Sequence, residues 1–256
     1  KIEELAKSMV EVFKRRTSQI LMTALPEVTV KNLGLIDYKE AWDLQEQYFK
    51  AAIDRKIALR NGENLPPPSN YLLFCEHPNV YTIGKSGNEE NLLLSSVEVA
   101  KKDASYYKIN RGGDITYHGP GQLVVYPILD LEQFFTDIHK YMRFLEQAVI
   151  NTLLQFNIRA GRIEGMTGVW VDSEKPSARK ISAMGVKSSR WVTMHGIGFN
   201  INTDLGFFSH IVPCGIADKA VTSMQNELGR EIDMQEVETI IIDEFKSLFG
   251  FDVKHK

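Results

Sequence analysis

The chain has 256 residues, of which 43% are hydrophobic and 25% are charged, and its net charge is −3. This composition is ordinary for a globular protein, and the acidic balance argues against nucleic-acid binding, which normally requires a strongly basic face. Two cysteines, Cys75 and Cys214, are too few for a disulfide framework or a metal site made of cysteines. No stretch approaches the ~18–20 apolar residues of a membrane span, so we expect a soluble cytoplasmic protein.

Residue periodicity predicts helices and strands in the first half of the chain. Residues 1–26 favour a helical extension that Pro26 ends. Residues 27–35 alternate as a β-strand does, and an amphipathic helix over 37–61 follows, with Asp37 as its N-cap. Short strands are predicted at 71–75, 80–83 and 123–129.

The second half begins with the longest predicted helix, over residues 131–156. Four strand-like stretches follow at 168–171, 181–186, 191–194 and 196–201. A last helix is predicted from Asp233 to a C-terminal glycine, Gly250. Strands grouped together with helices between them predict an α+β fold, with one domain over residues 27–256.

The segment Arg111–Gln122 is the first of three that carry candidate chemistry. It contains four glycines, which let a backbone turn sharply and approach a ligand closely. It is also dense in polar side chains and leads into a buried strand, so we interpret it as a ligand-binding loop. A pair of tight turns without a ligand is the alternative. The segment lacks the spacing of a phosphate-binding loop.

The other two segments contain Lys180 and Cys214. Lys180 opens an apolar strand, where an amine can be partly desolvated, although a surface lysine at a strand end would have the same pattern. Cys214 lies between Pro213 and Gly215, on a constrained turn that can present its sulfur to a pocket. An inert buried cysteine is the alternative there, and we assign Cys75 to the core.

Together these segments resemble one enzyme family, the lipoate-biosynthesis octanoyltransferases, also called lipoyl(octanoyl) transferases. The resemblance covers roughly residues 30–250. Beyond the Arg111–Gln122 loop it rests on ordered motifs at 76–78, 81–84, 179–181, 185–186, 191–196, 200–205, 213–216, 221–223 and 227–229. The N-terminal extension has no counterpart in the usual start of these enzymes.

The resemblance implies a mixed β-sheet flanked by helices, as in biotin and lipoate protein ligases, with Lys180 and Cys214 as the catalytic pair. It implies an acyl pocket formed by Arg111, Gly112, Gly113, Asp114, Ile115, Thr116, Tyr117, His118, Ala183, Met184, Gly185, Gly196, Ile197 and Gly198. The implied donor is octanoyl-acyl carrier protein. The implied acceptors are lipoyl domains of 2-oxoacid dehydrogenase complexes and the glycine-cleavage protein. No cofactor and no metal are expected.

The implied chemistry suits this pair, because a lysine ammonium favours the thiolate that must attack a thioester. Backbone N–H groups near Gly215 or in the Gly112–Gly113 turn are candidate oxyanion donors. His118 either orients the substrate carbonyl or only hydrogen-bonds its own loop. Three alternatives stay open: an ATP-dependent lipoate or biotin protein ligase, a thiol hydrolase, and a non-catalytic module that binds acyl carrier protein or lipoyl domains.

Overall fold

The computed structural model describes residues 25–212 and 220–254. The predicted helix over residues 1–26 therefore lies outside the described residues, apart from its last two positions, and so does Cys214. Within the described residues, no helix combines the length and apolar character needed to cross a membrane.

The strands of the described chain are β1 (Glu27–Leu35), β2 (Asn70–Glu76), β3 (Val80–Ile83), β4 (Ser105–Lys108), β5 (Ile115–His118), β6 (Gln122–Ile128), β7 (Ala160–Ile163), β8 (Met166–Val171), β9 (Arg179–Ser189), β10 (Val192–Asn200), β11 (Ala220–Val221) and β12 (Asp252–Lys254). Its α-helices are α1 (Tyr38–Arg60), α2 (Ser96–Lys101), α3 (Ile138–Gln155), α4 (Met224–Leu228) and α5 (Met234–Phe249). Short 3₁₀ turns occupy Glu89–Asn91, Leu131–Gln133 and Leu205–His210.

Most strands form one large mixed sheet in the order β12-β1-β2-β6-β10-β9-β8-β7, with β11 paired to β9 outside this path. The β12-β1-β2 edge is parallel, and the pairings from β2 through β6, β10, β9 and β8 to β7 are antiparallel. A smaller sheet is ordered β4-β3-β5, and its strand β5 lies within the Arg111–Gln122 segment. The predicted mixed sheet flanked by helices is confirmed.

Helices cover both faces of the large sheet. Helices α3 and α5 pack on one face, where Leu145, Val149 and Ile241 belong to the main hydrophobic core. Helix α1 packs on the other face and contributes Ala41 and Phe49 to a second core. Each helix has its apolar side chains on the face toward the sheet, which is how an amphipathic helix removes apolar area from water.

Several predicted elements differ from the structure in their bounds. Helix α3 begins at Ile138 rather than at residue 131, because Asp137 accepts a hydrogen bond from Lys140 N and caps it there. The two strands predicted at 191–194 and 196–201 are the single strand β10. His195, at φ 59°, continues the pairing where a break was predicted. Strand β1 has the predicted bounds, and Gly250 ends α5 in the left-handed conformation as expected.

Candidate active site

A cavity of about 410 Å³ lies between the Arg111–His118 segment and strands β8, β9 and β10. It brings together Lys180 and thirteen of the fourteen residues predicted to contact substrate, namely Arg111, Gly112, Gly113, Asp114, Ile115, Thr116, His118, Ala183, Met184, Gly185, Gly196, Ile197 and Gly198. These residues come from three segments that are distant in sequence. The large sheet joins two of them directly, because β9 and β10 pair antiparallel with Gly185 opposite Gly196 and Ala183 opposite Gly198.

Tyr117 is the exception among the predicted contact residues. Its side chain is fully buried, donates a hydrogen bond to Asn79 Oδ1 at 2.8 Å and stacks on Phe207. Successive residues of a strand point to opposite faces, so Tyr117 packs in the core of the small sheet while its neighbours Thr116 and His118 line the cavity. The structure therefore does not support a substrate contact by Tyr117.

The glycines of the cavity wall allow a close approach between strand and loop. A Cβ atom at Gly185 would lie 2.8 Å from the carbonyl oxygen of Gly112 and 3.0 Å from Arg111 Cδ. The Gly112 N–H donates to Val186 O at 2.9 Å, which ties the loop to β9. That amide is therefore occupied, and the prediction that it serves as an oxyanion donor is not supported.

Arg111 and Asp114 hold the loop in shape. The Arg111 guanidinium, in a residue only 8% exposed, donates to Thr82 O at 2.8 Å and to Thr82 Oγ1 at 3.1 Å. The Asp114 carboxylate accepts from Asn91 Nδ2 and from Ile115 N, both at 2.7 Å. Both side chains also line the cavity, so they bring a positive and a negative group to its wall.

His118 is buried and belongs to a hydrogen-bonded network. Its Nδ1 lies 2.6 Å from Gln122 Oε1, and Gln122 Nε2 donates to Tyr117 O and Asn200 Oδ1. Burial, reinforced by the neighbouring His77, lowers the pKa of His118 to about 3. The imidazole is therefore neutral at physiological pH.

Lys180 is the second residue of β9 and is half-buried. Its Nζ lies 4.7 Å from the centre of the buried Trp170 ring, a cation–π geometry that favours the ammonium form. A Cβ atom at Gly168 would lie 3.4 Å from Lys180 Cε, so the lysine stem passes over a glycine of β8. The partial desolvation predicted for Lys180 agrees with this burial.

The described ends of the 213–219 segment both lie beside the cavity. On one side Val212 N donates to Asn91 O at 2.9 Å, and Asn91 also holds Asp114. On the other side β11 pairs parallel with β9, and Val221 is the register partner of Lys180. The pairing of Cys214 with Lys180 itself lies outside the described residues and stays a prediction.

Cys75 lies in the core packed under α1, as expected, and is 2% exposed. Its Sγ is 3.6 Å from His77 Nε2. Burial raises the pKa of the Cys75 thiol well above its ordinary value, so this cysteine is a protonated, unreactive thiol. The ring nitrogens of His77 are hydrogen-bonded within the protein, to Ile36 O and to Tyr126 OH, each at 2.8 Å.

Comparison with known proteins assigns the chain to a family. The lipoyl protein ligase A/B catalytic domain matches residues 37–246. Octanoyltransferases of Christiangramia forsetii and Cytophaga hutchinsonii are 58% and 56% identical to the chain over 231 residues, covering 90% and 89% of this chain and 99% and 95% of theirs. The chain belongs to the octanoyltransferase family.

Solved structures show the same fold at much lower identity. A bipartite lipoate protein ligase of Thermoplasma acidophilum is 17% identical, with a TM-score of 0.63 over 92% of this chain and 87% of its own. A lipoate-protein ligase A bound with ATP is 16% identical, with a TM-score of 0.62 over 91% and 88%. The octanoyltransferase chain therefore has the fold of these ligases.

Sequence reasoning missed several residues of the octanoyltransferase cavity: Tyr38, Tyr126, Met142, Met166, Trp170, Val186, His195, Phe208 and Val221. His195 is 2% exposed, and neither ring nitrogen has a hydrogen-bond partner among the described residues. Burial, together with the positive charges of Arg111 and Lys187, lowers its pKa to about 3. Its position directly before Gly196 in a family motif was the available signal. No cluster of metal-ligating side chains occurs within residues 25–212 and 220–254.

Proposed function

We propose that the protein transfers an octanoyl group from octanoyl-acyl carrier protein to a lysine of a lipoyl domain, through a thioester on Cys214. The observation that carries this proposal is the cavity of an octanoyltransferase-family chain, which is lined by both Lys180 and the Arg111–His118 loop. The proposed acceptors are lipoyl domains of 2-oxoacid dehydrogenase complexes and the glycine-cleavage protein, and the proposed location is the cytoplasm.

The cavity suits a short saturated acyl chain. Its volume of about 410 Å³ falls in the range typical of small-molecule sites. Met142, Trp170, Met184 and Ile197 give it apolar walls, and burying a methylene group against such walls contributes about 0.8 kcal/mol. Glycines in β9 and β10 leave room for the chain beside the sheet.

In the first half-reaction the Cys214 thiolate attacks the thioester carbon of the donor. A new C–S bond forms, the old one breaks, and the carrier sulfur leaves as a thiol with a proton from the Lys180 ammonium, which becomes an amine. No ATP is needed, because one thioester replaces another. A free cysteine, with a pKa of about 8.5, is only slightly ionised at neutral pH. A Lys180 ammonium beside it stabilises the thiolate by charge pairing, and the Trp170 ring favours that ammonium.

In the second half-reaction the neutral amine of the acceptor lysine attacks the acyl carbon of the enzyme thioester. The C–N bond forms and the C–S bond breaks, with its electron pair returning to sulfur. Lys180, as amine, takes a proton from the attacking nitrogen, which restores the ammonium–thiolate pair. Formation of an amide from a thioester is downhill, so this step drives the reaction forward.

The test is mass spectrometry of the intact protein after mixing with octanoyl-acyl carrier protein. One octanoyl group is expected on the wild type, removable by hydroxylamine, and none on Cys214→Ser. Cys75→Ser is the matched control and retains the adduct, because Cys75 is buried away from the cavity as a neutral thiol. An adduct on Cys75, or none on the wild type, contradicts the proposal.

The chain shares its fold with an ATP-bound ligase, so activation of a free acid with ATP is one alternative function to test. Octanoylation of a lipoyl domain from octanoate, ATP and Mg²⁺, without an acyl carrier donor, would support that function. Release of free octanoate in the absence of a lipoyl domain would support a hydrolase. Transfer that proceeds from octanoyl-acyl carrier protein without ATP supports the octanoyltransferase.

A further inference from the structure

The hydrogen bonds around His118 determine which of its nitrogens carries the proton. Gln122 Nε2 donates to the backbone oxygen of Tyr117 at 3.1 Å. A backbone oxygen can only accept, so the orientation of the Gln122 amide is fixed. Its Oε1 then faces His118 Nδ1 at 2.6 Å, and because an amide oxygen can only accept, His118 Nδ1 must be the donor.

The network extends to the strand of Lys180, and it allows only one orientation of the Gln122 and Asn200 side-chain amides. Asn200 Nδ2 donates to Thr222 O at 3.1 Å, so Asn200 Oδ1 is the acceptor for Gln122 Nε2 at 2.9 Å. Thr222 N in turn donates to Lys180 O at 2.9 Å. His118 is thus linked through buried groups to the backbone of Lys180, and both residues line the cavity.

The packing around the ring is also tight. Tyr38 stacks on His118 with ring centres 6.0 Å apart and an interplanar angle of 14°. A Cβ atom at Gly198 would lie 3.4 Å from His118 Cε1. The ring therefore has one well-defined orientation beside β10.

The second ring nitrogen, Nε2, is left as a hydrogen-bond acceptor. With the proton on Nδ1 and the pKa lowered to about 3, chiefly by burial, Nε2 carries a lone pair at neutral pH. No described residue donates a hydrogen bond to it, and His118 lines the cavity. An oxyanion needs donors, so His118 in this state cannot stabilise one.

We propose that His118 Nε2 accepts a hydrogen bond from the amine of the incoming acceptor lysine and so positions that amine for attack on the acyl carbon. The inference rests on the proposed function. The thioester carbonyl and sulfur carry no hydrogen to donate, whereas the amine carries two. Among the reacting groups of the two substrates, the amine is therefore the one that can donate to a bare imidazole nitrogen.

The two amine hydrogens then have different fates. Nitrogen attacks the acyl carbon, the C–S bond breaks and its electron pair remains on Cys214. One amine proton passes to the Lys180 amine, and the other, held by His118 Nε2, stays on nitrogen as the N–H of the product amide. His118 remains neutral throughout, so it acts as an acceptor that orients the nucleophile, and Lys180 handles the proton.

The two half-reactions separate this role from others. His118→Asn keeps an amide donor for Gln122 near the position of Nδ1 but removes the Nε2 acceptor, whereas His118→Gln places an amide near Nε2. Acylation by octanoyl-acyl carrier protein and transfer from the isolated acyl-enzyme to a lipoyl domain are timed by rapid quench and intact mass. Misplacing a reacting group by about 1 Å can cost about 100-fold.

For His118→Asn we expect acylation within about twofold of wild type and transfer slowed by about 10- to 100-fold, with His118→Gln retaining more transfer. Transfer of the octanoyl group to hydroxylamine, a small nucleophile that needs no positioning, gives the hydroxamate and stays at the wild-type rate. His77→Gln is the matched control, because His77 is buried and bonded within the protein, and its ratio of transfer to acylation stays as in wild type.

Three results overturn the inference. If acylation slows as much as transfer, His118 acts on the thioester or on Cys214. If both rates are unchanged in His118→Asn and His118→Gln, the residue has no part in the reaction. If wild type forms no acyl-enzyme at all, the proposed function fails first, and this outcome is distinct because it precedes any effect of His118.

Discussion

Gly185→Ala tests whether the contact between β9 and the Arg111–Gln122 loop builds the site. The new methyl would lie 2.8 Å from Gly112 O and 3.0 Å from Arg111 Cδ, and ordinary contact begins at 3.4 Å. The loop must therefore retreat by about 0.6 Å, which weakens its hydrogen bond from Gly112 N to Val186 O. Gly185 does not have a positive φ, so the backbone itself tolerates alanine.

The magnitude follows from overpacking, which costs about 1–3 kcal/mol in a close-packed contact. For a domain of this size each kcal/mol lowers the Tm by about 2–4 °C, so we expect a decrease of about 2–12 °C. The retreat of the loop also displaces Arg111, and a displacement of this size is expected to slow acyl transfer by about tenfold.

Thermal unfolding and steady-state octanoyl transfer measure the two effects. Gly112→Ala is the matched control for stability, because its methyl would make an ordinary 3.4 Å contact with Val186 O on the same surface. A Gly185→Ala protein with the wild-type Tm and full activity would refute the reasoning, since the loop would then not depend on this approach. So would a larger loss of stability in the Gly112→Ala control.

The remaining predictions concern three charged groups. Lys180→Ala should move the pH profile of Cys214 alkylation to higher pH and slow acyl-enzyme formation, because the thiolate loses a neighbouring cation. Lys180→Arg keeps a cation, so the profile should move less. Burial raises the pKa of Glu227, but the hydrogen bonds from Arg179 and Thr222 and the charge of Arg179 together outweigh burial, so the pKa lies below its ordinary value. Glu227→Gln should therefore lower the free energy of unfolding at pH 7, and the difference should fade as pH falls through that lowered pKa. Glu146 is 1% exposed, and Glu146→Ala should cost about 1–3 kcal/mol in chemical denaturation, because it leaves the buried Gly168 N–H without its acceptor.

Controls for these predictions come from the same chain. Lys187→Ala removes a cation that pairs with Glu46 of α1, and the alkylation profile should stay in place. An unchanged profile in Lys180→Ala would reject the proposed pairing with Cys214. If Glu227→Gln lowered the free energy of unfolding equally at pH 3 and pH 7, the lost stabilisation would come from packing rather than from the carboxylate charge.

Features set by short-range pattern were predictable. Strand β1, the capped start of α1 at Asp37 and the glycine end of α5 follow from side chains within a few residues of one another. The predicted start of α3 was wrong because two aspartates can serve as N-cap: Asp130 caps a short 3₁₀ turn, and Asp137 caps the helix itself. Strands β7, β11 and β12 were missed, since two to four residues carry too little periodicity and exist only through their pairing partners.

The order of the motifs in the chain determined the family, the candidate loop and the candidate pair, because residue types and spacings are local properties. Tertiary structure decided the rest. Tyr117 faces away from the cavity because of its register with Tyr81 in the small sheet. The acceptor state of His118 depends on Asn200, 78 positions beyond Gln122 in the chain. Strand pairing brings such distant groups together, and burial then sets their charge, so neither can be derived from neighbours in sequence.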